Sequence, residues 1–350
     1  MRVKKAPVTW LGTWLGTWIG ISISIFLGLL ISGSPVAAAD AMNPIEIEEW
    51  KVPYGGHPRD PFAAGGDEIW FVGQRGHYLA RFTPSTGKFF KRDLADAAGP
   101  HNLIVSAEGI VWYAGNRKGY IGRFDPATDE IEKIGMPDRS AEDPHTLVFD
   151  LGQRHIWFTV QGGNFIGRLN VSSRKVDLIA VPTPRARPYG IKIAPDGTPW
   201  IVLLSTNKLA SVDPVTLALT EYEIPHQGAR PRRLEITSDG RIWYADYRRG
   251  FLGLYDPQAK SFKEWALPSG RDARPYGMAS DDSDRIWVVE TGVSPNMFVG
   301  FDTRSERLIS VTPIPSGAGS VRHMDYHAPT GAVWFGTDSN TIGRAIVNRP

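Results

Sequence analysis

The sequence predicts an all-β fold, a seven-bladed β-propeller of four-stranded blades. Three observations lead there: a tryptophan that returns at a nearly constant interval, a composition rich in turn formers, and two chain ends that each carry part of one repeat. The tryptophans are Trp70, Trp112, Trp157, Trp200, Trp243, Trp287 and Trp334, separated by 42, 45, 43, 43, 44 and 47 residues. Each sits in a similar phrase, as in "DEIWFVG", "GRIWYAD" and "DRIWVVE". A period of this length with room for four short strands is the signature of a radially repeated sheet. The 37 Gly and 27 Pro among 350 residues cut the chain into short segments, which suits hairpin-linked strands and not long helices.

From the N-terminus, residues 1–39 read as an export signal. Arg2, Lys4 and Lys5 precede an apolar run from about Trp10 to Ile31, and "SPVAAAD" offers a cleavage site at Ala37-x-Ala39. The run is long enough to span a bilayer, so an uncleaved anchor is the competing expectation, and the only route to a membrane association. Either way the propeller, residues 44–350, is expected outside the cytoplasm, periplasmic or secreted.

Within a repeat, "PYGMAS" reads as a first strand, "RIWVVE" as a second, "FVGFDT" as a third and "RLISVTPIP" as a fourth, with turns such as "PDG" and "SDG" between strands. The chain ends in "NTIGRAIVNRP", a third strand with no fourth after it. Residues 45–53, "IEIEEWKVP", form a fourth strand with no blade before it. The N-terminal strand is therefore expected to complete the last blade, leaving no open edge. The repeated tryptophans are expected to pack between blades.

Composition narrows the function. Removing residues 1–39 takes away three positive charges and no acid, lowering the formal net charge from +2 to −1. No run of Lys and Arg tracks a phosphate backbone, so nucleic acid is not an expected partner. The chain has no Cys, which excludes disulfides, thiol chemistry and Cys-ligated metals.

In a propeller the first strand of each blade lines the central channel. Eleven residues before the tryptophans stand Arg59, His101, Tyr189, Arg232, Tyr276 and His323, with His145 equivalent after a one-residue insertion. Two positions earlier come Arg187, Arg230 and Arg274, each followed by Pro. These side chains suggest a cradle for carboxylate, phosphate or sulfate oxygens, to which Arg59 and Arg322 would add. The structural alternative pairs the arginines with the strand-end acids Asp143, Asp246, Glu290 and Asp338. The three histidines, spread around the ring, suit general-base or hydrogen-bonding roles better than a shared metal.

The phrases "PHNLIVSAEGIVWYAGNRKGYIGRFDP" and "PHTLVFDLGQRHIWFTVQGGNFIGRLN" resemble the streptogramin B lyase family, seven-bladed propellers, over nearly all of residues 44–350. That resemblance implies ring opening of a cyclic depsipeptide by elimination, with a His as base and a magnesium ion held by carboxylates. Laid on this chain, one family Glu falls on Glu290, and it matches. The catalytic His falls on Tyr276, a second Glu on Arg274, and a substrate-contacting His on Arg232. Arg274 places a cation where magnesium would bind, so no metal or other cofactor is expected, and Glu290 is expected to pair with Arg274. Two readings follow. One is a lyase-like enzyme for an anionic small molecule, with Tyr276 and Glu290 as catalytic candidates and Arg59, His101, His145, Arg187, Tyr189, Arg230, Arg232, Arg274 and His323 as binding candidates. The other is a noncatalytic propeller that binds an anionic ligand or a protein partner in the funnel.

Overall fold

The structure is a computed structural model that describes residues 42–348, so the expected export segment lies outside the described residues. Its strands form seven four-stranded antiparallel sheets. Each of the first six blades takes its four strands in chain order, beginning with Pro58–Ala63, Leu103–Val105, Pro144–Phe149, Pro188–Ile193, Pro231–Ile236 and Pro275–Ser280. The seventh blade takes Val321–His327, Ala332–Thr337 and Thr341–Ile346 from the end of the chain. Its outer strand is Glu46–Lys51, paired from Glu46 opposite Ile346 to Lys51 opposite Thr341. This is the closure expected from the two incomplete chain ends. The first strands contact one another in a closed ring, the seventh against the first, and so surround the channel.

Every repeat tryptophan is buried. Trp70 meets Phe124 of the next blade at 6.2 Å between ring centroids, Trp200 meets Tyr255 at 5.7 Å, and Trp243 meets Phe301 at 5.6 Å. Trp334 packs on Phe82 of blade one at 6.3 Å and on Trp50 of the N-terminal strand at 5.8 Å. The period seen in the sequence is thus the period of the seams between blades, where large rings exclude the most water per side chain.

One irregularity of the first strands positions the site. In six blades the pairing of first and second strands slips at the channel end, so that two consecutive residues oppose one. In blade two the same pair, His101 and Asn102, exchanges backbone hydrogen bonds with Ala114 alone. A bulge of this kind re-aims side chains, and here it turns two successive residues per blade toward the axis.

Candidate functional site

The register sorts the channel residues into two rings. The residue opposite each tryptophan is Phe62, Ile104, Val148, Lys192, Glu235, Ala279 and Asp325. Three positions before it stands the outer ring: Arg59, His101, His145, Tyr189, Arg232, Tyr276 and Arg322. The next residue of each blade gives the inner ring: Asp60, Asn102, Thr146, Gly190, Arg233, Gly277 and His323. The last blade carries the same one-residue insertion as the blade of His145, so Arg322 holds the place that spacing alone gives to His323.

Four inner-ring residues, Asp60, Asn102, Thr146 and Arg233, form a polar network. Asp60 is fully buried and accepts from Arg59 Nε at 2.9 Å, Asn102 Nδ2 at 3.2 Å and Arg233 Nη2 at 3.4 Å. Arg233 spans the channel, donating also to Thr146 Oγ1 and to the Arg322 carbonyl, both at 3.0 Å. Blade four leaves room beside it with a glycine: a Cβ on Gly190 would stand 3.1 Å from Arg233 Cα. Burial opposes ionisation of Asp60, but Arg59 and Arg233 outweigh it and hold the carboxyl well below its ordinary range. Sequence spacing singled out neither Asp60 nor Arg233, because both enter the channel only through the bulge.

The outer ring fills the mouth. The imidazoles of His101 and His145, from neighbouring blades, lie 3.4 Å apart at their centroids, and His145 lies 4.1 Å from the Tyr189 ring. The Tyr189 and Tyr276 hydroxyls hydrogen-bond across the intervening blade. That blade's Arg232 places its guanidinium carbon 3.7 Å from the Tyr276 ring centroid, 4.3 Å from that of Tyr247 and 5.4 Å from that of Tyr189. Three polar atoms of this ring are buried without a hydrogen-bond partner: Arg59 Nη2, Arg232 Nε and His101 Nδ1, the last 3.9 Å from Asp60 Oδ2.

Electrostatics divide the ring sharply. Burial, then the charges of Arg59 and His145, pushes His101 well below the ordinary imidazole value; burial and Arg233 do the same to His145 and His323. All three are therefore neutral at physiological pH, acceptors rather than cations. Burial works to raise the Tyr189 phenol, but Arg232, Arg233 and Arg59 overcome it and draw it below the ordinary value. Tyr276 moves upward, through burial and then the neighbouring Tyr189. Two hydrogen-bonded phenols among arginines thus part in acidity, as paired carboxyls do.

The rim arginines behave differently. Arg187 and Arg274 are exposed, adopt positive φ of 57° and 42°, and make no ion pair among the described residues. Arg230 turns back on its own loop, donating to the Ala229 carbonyl at 2.5 Å and the Gln227 carbonyl at 3.1 Å. The strand-end acids do not bind these guanidiniums. Asp143 accepts from the amides of Gly162 and Gly163, and Asp246 from the Arg230 amide and the Arg249 side chain. Asp338 takes both Arg322 and His57. The expected pairing of Glu290 with Arg274 does not form. Glu290 is fully buried and accepts from the Ser269 amide at 2.9 Å and the Ser269 hydroxyl at 2.5 Å, so both its oxygens tie down the loop before blade six.

The sequence profile described as "Virginiamycin B lyase family" matches residues 41–212 and 174–349, which together span the whole propeller. The chain belongs to the virginiamycin B lyase family. Among solved structures, a streptogramin B lyase shares 20% identity with a TM-score of 0.79, over 89% of this chain and 100% of that one. Virginiamycin B lyase from Staphylococcus aureus shares 19% identity with a TM-score of 0.77, over 86% of this chain and 99% of that one. Kuenenia stuttgartiensis hydrazine synthase reaches a TM-score of 0.68 at 14% identity, over 84% of this chain and 96% of that one. At these identities the structural likeness speaks for the fold alone. No curated protein sequence matches this chain. Within this virginiamycin B lyase-family propeller, Tyr276 and Arg232 stand in the outer ring, whereas Glu290 ends the second strand of blade six and Arg274 lies in the loop just before that blade's first strand. Among the described residues, no three His, Asp or Glu side chains converge as a metal ion requires.

Proposed function

We propose that this protein is an exported member of the virginiamycin B lyase family that binds an anionic small molecule at the channel mouth, without magnesium. The observation that carries this reading is the excess of guanidinium over carboxylate in the two rings. Arg59, Arg232 and Arg233 converge on the tyrosine pair, Asp60 is the one carboxylate of those rings, and Arg59 Nη2 and Arg232 Nε remain buried and unpartnered. A buried donor without an acceptor costs about 1–3 kcal/mol, more when charged, and an oxyanion relieves that cost. The basic start, apolar run and Ala37-x-Ala39 site of residues 1–39 support export.

The residues at the family's magnesium positions do not fit the ion. Both Glu290 oxygens are engaged by Ser269, and Arg274 contributes a cation in place of a second carboxylate. A second reading, lyase chemistry at the same mouth, draws on the contact between the tyrosine hydroxyls. In that reading Tyr189, acidified by arginines, accepts the proton and Tyr276 supports it as donor.

The test is a thermal-shift and calorimetric titration of the purified protein with acetate, phosphate and sulfate, with and without magnesium and chelator, alongside incubation with a streptogramin B followed by mass spectrometry. The expected result is stabilisation by an anion, insensitivity to chelator and unaltered antibiotic. Magnesium-dependent linearisation of the antibiotic would overturn it.

A further inference from the structure

The mouth of the channel holds more positive charge than its own acids balance. Asp60 already serves Arg59 Nε, Asn102 and Arg233, and Asp338 serves Arg322. What faces Arg232 is aromatic: Tyr276, Tyr247 and Tyr189. Arg233 lies 5.1 Å from the Tyr189 ring centroid on the inner side. With Tyr189 and Tyr276 each 3% exposed, little water reaches this charge. A guanidinium shielded from water needs an anion close by, and the mouth offers two ways to supply one: a phenol of the pair that gives up its proton, or an oxyanion from solution.

We propose that these two anions exchange, so that the mouth is a proton-linked site in which a small oxyanion takes over the hydrogen bonds of Arg59 and Arg232 while the Tyr189–Tyr276 pair takes up one proton. This rests on the anion-binding reading above and adds its mechanism. In the empty site the pair shares one proton, the Tyr276 hydroxyl donating to the Tyr189 oxygen. When the oxyanion arrives, Arg59 Nη2 and Arg232 Nε gain the acceptor they lack, and the phenolate loses its electrostatic support. A proton from solvent then bonds to the phenolate oxygen; one anion and one proton enter together, and the charge of the site is unchanged. The groups facing Tyr189 are consistent with this from every side: Arg59 from blade one, His101 and His145 from blades two and three, Arg232 and Arg233 from blade five, and Tyr276 from blade six. The histidines, held neutral by burial and then by the same arginines, do not compete for the proton.

The direction of the pH effect follows. A proton bound with the ligand makes affinity rise as pH falls, by up to about tenfold per unit while the phenolate is the resident anion. Ultraviolet difference spectroscopy reads tyrosinate directly in the ligand-free protein. Calorimetry in two buffers of different ionisation heat counts protons taken up per acetate or phosphate bound. The expected result is a tyrosinate signal at neutral pH that acetate removes, with close to one proton taken up. Tyr189→Phe should abolish both the signal and the uptake while acetate still binds; Tyr276→Phe provides a second variant should the first misfold, and should shift the tyrosinate titration upward. Acetate binding with no tyrosinate signal, or with the signal unchanged, overturns the exchange and leaves the anion site standing. A tyrosinate signal in a protein that binds neither anion overturns the anion reading and the exchange with it.

Discussion

Arg233 of blade five reaches Asp60 of blade one across the channel, Nη2 to Oδ2 at 3.4 Å, so two blades far apart around the ring are joined through its axis. Both side chains are buried, and Asp60 is also the acceptor for Arg59 and Asn102. Asp60→Asn leaves two buried guanidiniums facing a neutral amide. Removing one partner of such a network costs about 3–5 kcal/mol, read as a lowered urea midpoint at unchanged slope. A shift below about 1 kcal/mol would mean that the inner ring is not what holds the axis.

Two of the channel acids, at different depths, respond to pH with opposite sign. Asp60 is held below the ordinary carboxyl value, so its contribution is present above that value and is lost as pH falls through the lower, folded one. Asp325 sits lower in the channel, accepting from the Ala63 amide at 2.8 Å. Burial, with Glu235 adding to it, raises Asp325 to about 6 from 3.8. Between those values the folded protein holds a proton that the unfolded chain has released, so stability is greatest at the acid end of the window and falls as pH rises through it. Asp325→Asn keeps an acceptor for Ala63 and cannot ionise. It should stabilise the protein by up to about 3 kcal/mol above neutral pH and flatten the decline between about pH 4 and 7. Denaturation at several pH values checks this, and an unchanged slope would show that Asp325 ionises freely in the fold.

Rim and ring arginines should separate in binding. Arg232 is half-buried against three tyrosines with a free Nε, whereas Arg274 is exposed with no ionic partner among the described residues. A charge-assisted hydrogen bond contributes about 1.5–3 kcal/mol, so Arg232→Ala should weaken acetate binding roughly tenfold to a hundredfold. Arg274→Ala should change it by less than about threefold, since exposed charges are screened. Equal losses in calorimetric titrations would move the site outward to the rim.

At the junction of the last and first blades, Trp50 lies 5.8 Å from Trp334 and 5.0 Å from Phe82. Trp50→Ala should cost about 2–3 kcal/mol, less than a fully enclosed tryptophan because its ring is half-buried. Thermal denaturation followed by circular dichroism would show a lower Tm with an unchanged all-β spectrum in the cold; an unchanged Tm would mean that strand pairing alone closes the ring.

The fold was legible because Trp70 to Trp334 mark one repeated packing position, and a seam between blades tolerates little else. The outer ring was largely legible for the same reason, since distance from the tryptophan fixes place along the strand. Sequence spacing did not reveal the inner ring, because a bulge turns a second residue inward without leaving a mark in the residue pattern. Arg322 stands twelve positions before Trp334, as His145 does before Trp157, which was the available signal that Arg322 and not His323 belongs to the outer ring. The partner of Glu290 was not legible either. Ser269 approaches from the loop that precedes its blade, and such loop conformations follow from local turn geometry rather than from periodic patterning.

Because Glu46–Lys51 pairs with Thr341–Ile346, the first of the described strands to be synthesised waits for the last of them. While synthesis proceeds the growing propeller carries an unsealed strand edge at Glu46–Lys51 and cannot complete its ring until Thr341–Ile346 has been made. The entropic cost of bringing such distant segments together grows only slowly with the chain between them, about 0.6 kcal/mol for each doubling of its length, so the delay is one of order and not of final stability. A ring whose closing strands lie at the two ends of its seven repeats stays open until the last of its blades has been made.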